Sequence, residues 1–283
     1  MKPIERVETT IRGEAADRAP FCLYTHYDLE LLGGEVLASA IQAFVERIEP
    51  DVVAVPPCFG YTVDSNVSLD RPADLAKLEP VHGRHGAWSN QQDAIRATCR
   101  AFFGKRPVVA VVPSAWLQLE KLAGRKLIQE ALNDGTGFFA QAIDSLTRSL
   151  VSFIKLAVEA GVHGVILEEP AASHELMDLA VYRQRLLPSL LLLIEAAKPA
   201  WSVVQFQGRR IYWEELKVPS QGLGWPVAAG PNLARGAMRW PGFVWGGLDP
   251  EGWSDASTAW LRGSLRNQLG EITSRPLILT TPG

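Results

Sequence analysis

The sequence predicts a (β/α)8 TIM barrel, a closed ring of eight parallel strands with helices between them. Short apolar runs recur along the 283 residues and alternate with amphipathic stretches, the signature of parallel strands joined by crossover helices. There are eight such runs, more than an open doubly wound sheet usually has. No G-x-G-x-x-G follows a strand and no Walker A sequence is present, which removes the main support for dinucleotide and P-loop folds.

Taken in order, the first strand is expected at Pro20–Thr25, and the second, Asp51–Pro56, is a valine-rich run that Pro56 and Pro57 stop. Pro107–Val112 and Val162–Leu167 are the third and fourth, the latter leading into Glu168-Glu169. Ser202–Phe206, Gln221–Gly224, Gly242–Trp245 and Pro276–Thr280 complete the set. The helical pattern is clearest before strand four, where Leu146, Leu150, Ile154, Ala157 and Val158 share one face and Gly161 follows as a stop. No linker divides the chain, so residues 1–283 read as a single barrel domain. Only Pro282-Gly283 follow the last run after Thr281, so no helix is expected after it. Cover for that strand would come from Ile4–Arg12, a partner subunit or a further extension.

Composition narrows the function. At 47% hydrophobic and 21% charged the chain is globular. A net charge of −3 argues against nucleic-acid binding, which needs a basic surface. The N-terminus has no apolar stretch of signal-peptide length, and the longest apolar run, Leu186–Ile194, is too short to span a bilayer. Cys22, Cys58 and Cys99 form no CxxC pair and no even disulfide framework, so a cytoplasmic location is expected.

Several segments resemble the uroporphyrinogen decarboxylase family. Glu5-Arg6-Val7, Gly13-Glu14 and Asp17-Arg18-Ala19-Pro20 resemble its ERV…G…DRxP approach to strand one. Ala160-Gly161-Val162-His163-Gly164-Val165 resembles its fourth strand, and Lys121-Leu122-Ala123-Gly124 the helix after strand three. Gly222-Leu223-Gly224-Trp225 and Gly246-Gly247-Leu248-Asp249-Pro250 resemble the loops after strands six and seven. The resemblance implies an α/β barrel whose chemistry sits at the C-terminal ends of its strands.

The family's functional positions are mostly changed. Where true decarboxylases carry arginines that hold substrate carboxylates, this chain reads Leu23-Tyr24-Thr25-His26-Tyr27-Asp28, and the essential aspartate falls at about Cys58. The family's cobamide-dependent methyltransferases bind zinc through His-x-Cys after strand five. Here that stretch reads Gln205-Phe206-Gln207-Gly208, and carboxamides are poor zinc ligands, so no metal and no cofactor is expected.

The resemblance and the residues together imply an enzyme on a small or tetrapyrrole-like carboxylated ligand at the barrel mouth. The alternatives are a methyltransferase-like protein that works with a corrinoid protein, or an inactive barrel that binds a ligand or partner, with a homo-oligomer also open. His26, at the end of strand one, is the candidate proton donor or acceptor. Of Glu168 and Glu169, alternation with Ile166 turns Glu168 toward the barrel axis as its counter-charge. Gln205, Gln207, Arg209 and Asp249 are candidates for holding substrate. Of nine tryptophans, Trp116, Trp225 and Trp245 fall at or near strand ends and are expected to line the mouth.

Overall fold

The expected apolar runs pair into one parallel eight-stranded sheet that curls into a nearly closed barrel. The computed structural model describes residues 1–23, 25, 33–64, 67–212, 214–226, 236, 240–247, 257, 259–260, 262–263, 266 and 276–280. Its strands are β1 (Phe21–Cys22), β2 (Val53–Val55), β3 (Val108–Pro113), β4 (Gly164–Glu169), β5 (Trp201–Phe206), β6 (Gly222–Gly224), β7 (Phe243–Gly247) and β8 (Leu277–Thr280). Helices α1 (Pro3–Ile11), α2 (Gly34–Ile48), α3 (Trp88–Phe102), α4 (Ala115–Asn133), α5 (Phe138–Glu159), α6 (Leu179–Arg185) and α7 (Leu187–Ala196) accompany them. Residues 281–283, after β8, lie outside the described residues. Among the described residues no helix is long and apolar enough to cross a membrane.

The strand order is β1-β8-β7-β6-β5-β4-β3-β2, so a ladder joins every neighbouring pair except β1 and β2. That seam explains why β2 is shorter than its apolar run. The N–H groups of Asp51 and Val52 both donate to the Phe21 carbonyl instead of extending the ladder to β3. In return the Phe21 N–H donates to the Asp51 carboxylate at 3.0 Å. Arg6 of α1 and Arg18 reach the same carboxylate, each at 2.5 Å. Arg6 also grips Asp17, which lies well below the usual carboxylate range because of that guanidinium hydrogen bond. The Glu-Arg-Val and Asp-Arg-x-Pro segments thus meet at one buried aspartate that clasps β1 to β2.

Period-two alternation separates two apolar layers. Inside the barrel lie Cys22, Val52, Ala54, Val109, Val111, Ile166, Val203, Phe243, Trp245 and Ile278, with Val7 of α1 closing the N-terminal end. The opposite faces of the strands, including Val165, Leu167, Val204 and Leu223, pack on the helices. Leu146, Leu150, Ile154 and Ala157 of α5 are buried in that outer layer as their spacing requires, while Val158 is only partly covered. Each fully buried aliphatic side chain contributes about 1.5–3 kcal/mol.

Large and small residues complement each other inside the ring. Trp201 packs edge-on against Phe243 at 5.6 Å and lies 6.1 Å from Trp245. Room for these rings comes from glycines. A Cβ at Gly164 would land on the Trp201 indole, and one at Gly222 would meet the Phe243 ring and Val203. Trp245 therefore fills the barrel interior and does not line its mouth, a correction to the sequence expectation. Gly164→Ala is expected to lower unfolding free energy by about 1–3 kcal/mol through overpacking. A urea midpoint equal to that of the wild type would show that Trp201 swings aside at no cost.

Candidate functional site

The C-terminal rim is built on the ends of β4 and β5. These strands pair with Glu168 directly opposite Gln205, and Pro113 of β3 lies beside Glu168 on the other side. Glu168 alternates with Ile166 and Gln205 with Val203, both inside the barrel, so the carboxylate and the carboxamide share the inner face. Both side chains are buried. The Gln205 amide nitrogen donates to the Phe206 carbonyl at 3.3 Å, while its Oε1 is buried without a hydrogen-bond partner. Gly224 of β6 stands in register with Gln205, and a Cβ there would collide with that oxygen. The glycine after Leu223 is what leaves the carboxamide its place.

Glu169 points the other way, as alternation requires. It is buried among the strands and helices, where desolvation pushes its pKa up to about 8 although Ala171 N–H donates to it at 2.9 Å. Tyr182 of α6 is buried near it with a hydroxyl that has no hydrogen-bond partner.

Beyond the strands, the loop after β4 is zipped to the loop after β5. Ser173 and Ile211 form an antiparallel bridge, His174 N–H donates to Arg210 O, and Tyr212 N–H donates to Ala172 O. The Tyr212 hydroxyl donates to the Met177 carbonyl at 2.8 Å, and the His174 and Tyr212 rings stand 4.1 Å apart. Gly208 (φ +86°) and Arg210 (φ +53°) take left-handed conformations to make this corner. A non-glycine residue held there costs energy that the surrounding zipper has to offset.

The structure brings together some of the expected site residues. Glu168 and Gln205 are neighbours on the inner face. Gln207 continues β5, its N–H donating to Glu169 O, and Arg209 is exposed on the rim with its N–H 3.4 Å from Glu175 Oε2. Trp116 is elsewhere, buried in the outer layer with its indole N–H on Glu120 and its ring 6.3 Å from Phe139. Trp225 is buried in the same outer layer, with Gly236 closed against its ring. His26 and Asp249 lie outside the described residues. Sequence reasoning missed the zipper and Ser173, whose buried hydroxyl is unpartnered. Neither carries a local signal, because the partner loop lies more than thirty residues away.

The zinc ligands expected of a cobamide-dependent methyltransferase have no counterpart among the described residues. Gln205 and Gln207 stand at the end of β5, and among the described residues no three His, Cys, Asp or Glu side chains gather to hold a metal. Carboxamides do not supply the thiolate and imidazole donors such a site uses.

Comparison with known proteins follows the same lines. The family model described as uroporphyrinogen decarboxylase (URO-D) matches residues 55–228, from the end of β2 to just beyond β6. No curated protein matches the chain in sequence. Among solved structures, a methyltransferase from Methanosarcina mazei superposes with a TM-score of 0.79 at 16% identity, covering 100% of this chain and 93% of that one. A putative vitamin-B12-independent methionine synthase from Listeria monocytogenes gives 0.52 at 12% identity, covering 94% of this chain and 89% of that one.

Proposed function

The chain belongs to the uroporphyrinogen decarboxylase family, and from that premise we propose that it is an enzyme taking a small carboxylated ligand into its C-terminal mouth. One observation carries this reading. Glu168 and Gln205 stand side by side on the inner face, and the Gln205 oxygen is buried with no donor among the described residues. An unpaired buried acceptor costs roughly 1–3 kcal/mol, which a ligand N–H or O–H donor would recover. Arg209 and Arg210 are exposed on the rim above it. The polarity orients the ligand, with its carboxylate toward the rim arginines and its hydrogen-bond donor toward Gln205.

In this reading Glu168 supplies negative charge against the reacting end of the ligand. His26, which follows strand one in sequence, would be the proton donor or acceptor, and Gln207 and Asp249 would complete the binding set. Among the described residues no cation stands on the inner face of the strands. A ligand with one or two carboxylates suits such a site better than a tetrapyrrole with many.

A second reading, methyl transfer with a corrinoid protein as partner, draws support from the likeness to the Methanosarcina mazei methyltransferase over the whole chain. No zinc step belongs to it, given the carboxamides after β5.

Ligand-observed NMR with short mono- and dicarboxylates, together with methylcobalamin as a free corrinoid, separates these readings. Gln205→Leu and Glu168→Gln are each expected to weaken binding of the favoured carboxylate at least tenfold, with melting temperature shifted little. His26→Ala should abolish turnover but not binding. Binding of methylcobalamin in place of a carboxylate would favour methyl transfer. Carboxylate binding indifferent to both substitutions at the mouth would sink the site assignment.

A further inference from the structure

An open cavity of about 420 Å3 lies at the N-terminal end of the barrel, where β3, β4 and β5 begin. Its walls are largely apolar, with Ile11 of α1, Val158 of α5, Val162 and Trp201 among them. The volume is that of an ordinary small-molecule site. Nothing in the chemistry of the mouth uses it.

One polar group on this wall has an unused hydrogen. His163 is half-buried, and its Nδ1 accepts the Val108 N–H at 3.2 Å. Burial pushes the imidazole below its usual pKa, with Glu8 partly opposing. The ring is therefore neutral at neutral pH, and because Nδ1 is an acceptor its single proton is on Nε2. No described side chain or carbonyl takes a hydrogen bond from that Nε2–H. The α1 groups at the edge of the cavity weigh against an anion, since Arg12 is already paired with Glu14 at 3.0 Å and Glu8 carries negative charge.

We infer that this cavity is a binding site for a neutral, flat, apolar molecule with one hydrogen-bond acceptor, such as an aromatic ketone or aldehyde. The ring lies against Trp201 and the aliphatic side chains, and the carbonyl oxygen accepts from His163 Nε2–H. The site is independent of the mouth, although Trp201 and Gln205 are on the same inner face of β5.

Acetophenone is the probe, ethylbenzene its counterpart without an acceptor, and 15N-histidine NMR of the full chain the readout. Acetophenone is expected to shift the His163 side-chain signals saturably, with Kd on the order of 1 mM. Ethylbenzene should bind about fivefold more weakly, the worth of one neutral hydrogen bond. Val158→Trp, at a partly exposed position, fills the cavity and should weaken acetophenone at least tenfold, whereas Glu168→Gln should leave it unchanged. Absence of saturable binding, equal affinity for the two probes, or indifference to Val158→Trp would each overturn the site. Loss of binding in Glu168→Gln would move acetophenone to the mouth and overturn it equally.

Discussion

Asp51→Ala is expected to lower the unfolding free energy by about 3–5 kcal/mol, the loss that follows when one partner of a buried ion pair is removed. The carboxylate is fully buried and takes donors from Arg6, Arg18 and the Phe21 N–H. Alanine leaves the Arg6 charge short of a partner in the interior and the Phe21 N–H without its acceptor. It also removes the side-chain link between two strands that share no ladder. Arg18→Ala is the control, because the Arg18 side chain is 47% exposed and its pairing is open to water. It should cost no more than about 1 kcal/mol. Urea unfolding reads both values. Equal losses at the two positions would mean that the seam is held by its backbone hydrogen bonds alone.

Glu169→Gln is expected to stabilise the protein, and the gain should grow with pH. The folded carboxyl has its pKa pushed up to about 8 by burial, against the usual 4.5 in an unfolded chain. The native state thus keeps a proton that the unfolded state gives up. The stability this group contributes is complete below about pH 4.5, drains away as pH rises toward 8, and changes no further above that. At about 1.4 kcal/mol per pKa unit the loss amounts to roughly 5 kcal/mol. Glutamine keeps an oxygen for the Ala171 N–H and never ionises. Unfolding midpoints of both proteins should therefore diverge from about pH 5 to 8 and keep a constant separation above that. Parallel curves would show that Glu169 reaches water in the folded protein.

The strands were legible because each is a short apolar run bounded by proline, glycine or a charged pair, and all eight lie at the expected places. The inward turn of Glu168 was legible for the same reason, since period two fixes the face once Ile166 is known to be inside. Trp116 and Trp225 show where such reasoning ends. Trp116 follows Ser114, whose hydroxyl caps α4, so it is already on a helix that turns it to the outer layer. Trp225 is the first residue past β6, and alternation with Gly224 sends its ring outward. Arg6, Asp17 and Arg18 were read as a family signature, yet the meeting of the two arginines at Asp51 was invisible, because the aspartate lies 45 residues beyond Arg6 and 33 beyond Arg18. The Ser173–Ile211 zipper was hidden likewise. Contacts between loops leave no periodicity in either segment.

The unpaired edge between β1 and β2 has a consequence for how the chain assembles. β1 is the first strand to be synthesised, and its one ladder runs to β8, the last. Until β8 exists, the hydrogen bonds among the described residues that tie β1 to the growing sheet are those to Asp51 and the two backbone bonds beside it. Ring closure therefore waits on nearly the entire chain, a contact of very high sequence separation and so of high loop entropy. The small ionic knot at the barrel floor keeps the opening strand in place through that interval.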